Sequence, residues 1–313
     1  MIVPIREDAA ARLCGDGQGL LGRLERAARR TRRGGDPESV HDVRVATRKL
    51  EAALDLWRPM LPRRRRRRAR RALGVLRRGL ATAREASVSL NRLRERFGSL
   101  PAEARIAAAL LQDCLQQRVE RLEGRSARRC ARRVVERARH RFELAWEGLA
   151  LGEASGPSFL EAGRARLARR RRRGYAALVE AAEGGTNELL HTARVAAKRW
   201  RYVLERLAAA DPTTDISEET WLEAVQVSLG RIQDLAVLRE RAARLTHRLA
   251  PVGCEGSWEP MRSLLRSLES ERAECVRMFR RLAAATAPES LRPSEAGPGA
   301  RGADRRKSRA PRS

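Results

Sequence analysis

Histidine and basic side chains recur in one pattern at two places in the chain. The run VHDVRVATRKLEAALD, Val40 to Asp55, returns as LHTARVAAKRWRYVLE, Leu190 to Glu205. His41 matches His191, Arg44 matches Arg194, and Val45, Ala46 and Leu54 match Val195, Ala196 and Leu204. A basic pair stands at Arg48-Lys49 in one copy and at Lys198-Arg199 in the other. Imidazolium, guanidinium and ammonium groups held at fixed spacing donate charge-assisted hydrogen bonds to oxyanions, so the chemistry on offer is anion binding. A duplicated half-domain explains the repeat most simply, and a feature kept on a polar face in both copies points to a shared ligand.

Helical phase tests whether these groups can act together. At about 100° per residue, with His41 at zero, Arg44 falls at roughly 300° and Arg48 at roughly 340°, one narrow stripe. Val43, Ala46, Leu50, Ala53, Leu54 and Trp57 gather on the opposite side, as a packing face must. In the second copy His191, Arg194 and Lys198 repeat the stripe with Arg201 beside it, while Ala193, Ala197, Trp200, Val203, Leu204 and Leu207 supply the buried face. Asp36-Pro37-Glu38 and Thr186-Asn187-Glu188 read as helix starts. A solvated basic face on an ordinary amphipathic helix would account for one copy; retention of the histidine in both weighs against it.

Composition agrees with an anionic partner. Lys and Arg number 67 against 39 Asp and Glu, a formal net charge of +28. Nearly all of it is arginine, whose planar fork of donors matches phosphate oxygens. Such an excess repels itself unless an anion is usually present, so polyphosphate, nucleic acid or an anionic lipid surface is the expected partner. Hydrophobic residues make up 42% of the chain, mostly Ala, Leu and Val, which favours helices around a core. Five cysteines (Cys14, Cys114, Cys130, Cys254, Cys275) have no close spacing and read as free thiols in a reducing cytoplasm. No apolar run approaches the ~18 residues of a membrane span and no signal-peptide core opens the chain, so a cytoplasmic protein is expected.

Almost every segment scans at helical period. Helices are expected at about 5–32, from Asp36 to near Pro59, as one long element at 63–97, and at 102–123 and 126–150. Glycines at 15–19 could disturb the first. Gly152 to Pro157 reads as a hinge, after which helices follow at about 159–183, from Thr186 to near Asp211, at 217–249 and at 258–285. The expected globular unit is thus 5–285, its halves about 5–150 and 158–285, with 286–313 a disordered basic tail. On the long helix Arg66, Arg70, Arg77 and Arg84 line up beside an apolar stripe of Ala69, Leu73, Leu76, Leu80 and Ala83, as a row lining a groove would. Arg23, Arg26 and Arg30 stand in the same relation to Leu20, Leu24 and Ala27.

VHDVRVATRKL and LLHTARVAAKRWRY, with the Arg201-Tyr202 pair, resemble the two signature helices of the CHAD family, the conserved histidine α-helical domain. LGRIQDLAVL, Leu229 to Leu238, resembles the segment following its second signature helix. The matching first-half stretch, LATAREASVSL, departs from the pattern in carrying Arg84-Glu85 where the family has Arg-Asp. The resemblance covers about residues 5–285. It implies an all-α fold of two pseudo-symmetric four-helix bundles around a basic central channel, and binding of inorganic polyphosphate. It implies a ligand-facing set of His41, Arg44, Arg48, Lys49, His191, Arg194, Lys198, Arg199 and Arg201. Helical phase adds Arg30, Arg66, Arg70, Arg77 and Arg84.

The function expected is non-catalytic polyphosphate binding, with attachment to polyphosphate granules; the alternative is a nucleic-acid-binding protein using the same basic surface, without sequence preference. No Walker A sequence, nucleophile elbow or Cys/His pairing appears, and neither a cofactor nor a metal is expected. Gly17-Gln18-Gly19-Leu20-Leu21-Gly22 fits G-x-G-x-x-G but follows no strand. His140 and His247 stand alone. Glu85 and Asp234 fall at equivalent places in the halves and are read as orienting neighbouring arginines.

Overall fold

The computed structural model describes residues 5–150, 157–249 and 258–285. The expected hinge, apart from Pro157, and the expected tail at 286–313 lie outside these residues, as does Cys254. Within them the chain is all-α and holds no strand. Six α-helices precede the 151–156 segment: α1 (Ile5–Gly34), α2 (Pro37–Leu56), α3 (Arg63–Gly79), α4 (Ala81–Arg96), α5 (Ala102–Arg129) and α6 (Arg132–Ala150). Four follow it: α7 (Pro157–Gly184), α8 (Asn187–Ala210), α9 (Glu219–Leu249) and α10 (Glu259–Ala285).

Each histidine helix is the second arm of a hairpin, and the same local chemistry starts both. Gly35 (φ 67°) and Gly185 (φ 64°) take the left-handed conformation that ends the preceding helix, a place where a Cβ would be strained. Their amides donate to the Thr31 and Ala181 carbonyls at 2.8 and 3.0 Å. The next residue then caps the new helix: Asp36 accepts from the Ser39 amide at 2.7 Å, and Thr186 from the Leu189 amide at 3.3 Å. The faces assigned from helical phase are the buried ones. Val43, Leu50, Ala53 and Leu54 on α2, Trp57 at its C-terminal cap, and Ala193, Ala197, Trp200, Leu204 and Leu207 on α8 are fully enclosed. Each buried Leu or Val contributes about 1.5–3 kcal/mol. One continuous core joins the helices before and after residues 151–156.

Three expectations about helix ends are corrected. The element at 63–97 is two helices broken at Leu80 (φ −102°, ψ 3°), which caps α3 and starts α4. Gly79 stands at the corner, with Arg129 Cδ 3.0 Å from where a Cβ would lie. Gly124 does not end α5, because Leu115, Val119, Leu122 and Ser126 carry its buried stripe past it to a turn at Cys130. The glycines at 15–19 leave α1 unbroken; Gly17 is a packing contact, where a Cβ would meet Trp146 Nε1 at 2.6 Å.

Helices from before and after residues 151–156 interlock. α2 packs on α8, α1 on α8, α4 on α9, and α5 on α10. Ion pairs cross these seams. Asp55 accepts from both Arg166 and Arg170 of α7, Arg206 reaches Asp16, and Lys49 meets Glu205 at 2.9 Å.

Candidate functional site

Because α2 and α8 pack directly together, their polar stripes approach each other, with α4 and α9 closing the space. Arg44 and Arg48 come from α2, Arg84 from α4, Arg194 and Lys198 from α8, and Asp234 from α9. Their mutual fields define the cluster. Lys198 is held down to about 7, first by burial, then by Arg194 and Arg48, with Asp234 opposing and Arg201 adding. Arg44 is lowered to about 10 by burial and by Arg48 and Arg77, opposed by Glu85. Burial also lowers Arg84 and Arg194, each facing Asp234 and Arg48. Asp234 is raised by its own burial, although Arg194, Arg92, Lys198 and Arg84 all pull the other way.

Most of these cations lack counter-charges. Among the described residues the Arg48, Arg84 and Lys198 side chains have no carboxylate within ion-pair distance, and Arg194 Nε is buried without an acceptor. Asp234 leans on Arg92 at 3.6 Å, and Arg44 donates to the Arg77 carbonyl at 2.6 Å. Half-buried like charges without partners are unfavourable, and an entering oxyanion adds an attraction to each cation that offsets their mutual repulsion.

The histidines diverge. His41 is half-buried beside Arg84, Asp42, Arg48 and Lys198, and burial with the arginines lowers it, so it is neutral near pH 7 in the unliganded protein. His191 is exposed, its Nδ1 3.2 Å from Gln233 Oε1. Gln233 and Arg84 precede Asp234 and Glu85, the paired acids of the two halves, so each histidine faces the same place in its own half. His191 lines a separate groove of about 950 Å³ between α8, α9 and α10.

The remaining candidates divide. Arg77 and Arg201 stand at the margin of the cluster, Arg77 paired with Glu51 at 3.2 Å and Arg201 with Glu205 and Glu223 at 3.2 and 3.0 Å. Lys49 and Arg199 point away from it, being roughly 80° from their histidines on the helix. Lys49 lies with Arg30, itself paired with Asp42, along a groove of about 580 Å³ between α1 and α2. Arg66 and Arg70 are not brought in. The break at Leu80 parts them from Arg84, and Arg66 Nη1 donates to the Arg58 carbonyl at 2.6 Å.

Sequence reasoning missed Arg92, and also Arg241, which stands seven residues after Asp234 and so on its face of α9. That spacing was the available signal. Glu85 and Asp234 do lie among arginines, Glu85 facing Arg44 and Arg241. His140 and His247 are exposed. Cys130 and Cys275 are buried, Cys14 half-buried and Cys114 exposed, and none of the four is in a disulfide. No helix of the described residues is long and apolar enough to cross a membrane.

Comparison with known proteins bears on this geometry. The crystal structure of the CHAD domain from the plant Ricinus communis superposes with a TM-score of 0.64 at 22% identity, covering 91% of this chain and 93% of that one. PptA from Streptomyces chartreusis superposes with a TM-score of 0.57 at 19% identity, covering 88% of this chain and 97% of that one. Both likenesses speak for the fold. No protein of curated function matches. The sequence profile of the CHAD domain matches residues 17–243, a span that holds both histidine helices and the whole cationic cluster between them. The chain therefore belongs to the CHAD domain family.

Proposed function

We propose that this protein binds inorganic polyphosphate, without turning it over, at the cluster formed by Arg44, Arg48, Arg84, Arg194 and Lys198, with His41 as a further donor. The observation that carries the reading is the set of converging cations that have no carboxylate at ion-pair distance among the described residues, drawn from helices before and after residues 151–156. Membership of the CHAD family supports it. So does the aromatic placement among the described residues: Trp57, Trp146, Trp200, Trp221 and Tyr202 are buried and Tyr175 and Trp258 half-buried, whereas single-stranded nucleic acid is held by exposed aromatic faces. A polymer of repeating oxyanions needs a row of donors and no base readout. Each charge-assisted bond contributes about 1.5–3 kcal/mol, so a few give firm binding after ordering costs.

The reading includes two pseudo-symmetric four-helix bundles about the cluster, with α3 and α4 counting as one broken member and α6 packed on α1 and α3 as an addition. It also includes attachment to polyphosphate granules inside the cell. Competition tests it. Long polyphosphate should displace a labelled oligonucleotide at far lower phosphate concentration than the reverse, and Arg48→Ala with Arg194→Ala should remove that preference. Equal displacement by either polymer would favour a general nucleic-acid binder. Phosphate release over hours with Mg²⁺ or Mn²⁺ would refute binding without turnover.

A further inference from the structure

A second arginine group lies on the far side of Glu85. Arg118 and Arg121 of α5 face Arg241, Arg244 and Arg248 of α9 across a groove of about 400 Å³, floored by Leu111, Leu115 and Leu245. Arg241 is half-buried, and its Nη1 is enclosed with no acceptor. Neither Arg118 nor Arg248 has a carboxylate at ion-pair distance among the described residues, and Arg244 meets only Glu240, at 3.3 Å. Glu85 lines this groove and also faces Arg44 of the central cluster, so the two cationic groups adjoin. An apolar floor under unpaired guanidinium groups strengthens their field.

We propose that this groove is a second station on the ligand's path, so that a polyphosphate chain held at the central cluster continues past Glu85 and lies between α5 and α9. The inference rests on the polyphosphate reading and adds a direction and a length to it. A short chain fills the cluster alone; a longer one also engages Arg118 and Arg241. Glu85 stays where the two stations meet, its carboxylate attracting Arg44 on one side and Arg241 on the other.

Cys114 provides the readout, because it is exposed and lines this groove, while Cys14 lies elsewhere on α1. The full chain would be alkylated with N-ethylmaleimide, a neutral reagent, and the rate at each thiol followed by peptide mass spectrometry. Long-chain polyphosphate should slow Cys114 several-fold and leave Cys14 unchanged, whereas tripolyphosphate at saturation should protect neither. Arg118→Gln with Arg241→Gln should collapse the ratio of long-chain to tripolyphosphate affinity toward one. Long-chain binding that leaves Cys114 at its free rate overturns the second station while the central site stands. Protection by tripolyphosphate alone makes the groove an independent phosphate site and overturns the continuous path. Absence of any polyphosphate binding overturns both readings together.

Discussion

Lys198 makes the proposed site sensitive to pH in a calculable way. Its ammonium is held to about 7, against an ordinary 10.5, by burial and by Arg194 and Arg48. An anion threaded among these groups restores the charge, so above pH 7 binding draws a proton from solution. If only the protonated form binds, the competent fraction falls by roughly tenfold between pH 6 and pH 8, about 1.4 kcal/mol. It falls roughly tenfold again by pH 9. Calorimetric titration with polyphosphate at pH 8 in buffers of different ionisation enthalpy should report uptake of nearly one proton. Lys198→Arg should bind with little dependence on pH above 7. The same group sets stability: its folded value lies below its unfolded value, so the unfolded chain holds more protons between about pH 7 and 10.5, and the unliganded protein grows more stable as pH rises through that window. Saturating polyphosphate should cancel that rise. A Lys198→Arg protein that keeps the wild-type slope above pH 7, or wild-type binding without proton uptake, would refute the reasoning.

Other perturbations give separate outcomes. His41, also lowered in the free protein, should add a slope below pH 7; His41→Gln should remove it while the Lys198 slope remains, as affinity titrations from pH 5 to 9 would show. Arg48→Ala should weaken polyphosphate binding by about 1.5–3 kcal/mol, and should lower the dependence of log affinity on log salt by about one contact, measured by anisotropy across a salt series. Asp55→Ala leaves Arg166 and Arg170 enclosed without their acceptor, and urea unfolding should show a loss of about 3–5 kcal/mol. Gly174→Ala places a Cβ at 2.6 Å from Trp200 Cε3; despite alanine's better helix propensity it should destabilise by about 1–3 kcal/mol in thermal or urea unfolding.

What the sequence made readable was local. The Gly-Gly turns, the caps at Asp36 and Thr186 and the buried faces of α2 and α8 depend on residues within a few turns, and each was legible. The stripe at His41, Arg44 and Arg48 was legible for the same reason, whereas the convergence of its partners depends on which helices touch. Leu80 shows where local reasoning fails. It continues the apolar phase of α3 into α4, so periodicity runs straight through a corner that the backbone makes at Leu80. That corner decides which arginines reach the site, delivering Arg84 and Arg92 and leaving Arg66 and Arg70 outside. The different surroundings of His41 and His191 were likewise hidden, since identical motifs meet Arg84 in one half and Gln233 in the other.

The pairs that join helices on either side of residues 151–156 carry acid and base in both directions: Asp16 and Asp55 reach arginines later in the chain, while Lys49 reaches Glu205. Complementary matching of this kind specifies a partner without a covalent tether. A protease nick between residues 150 and 157 should therefore leave two fragments that co-purify, and separately produced fragments should find each other on mixing. The polymer would then act as a clamp on that assembly, since its cationic ligands come from both pieces.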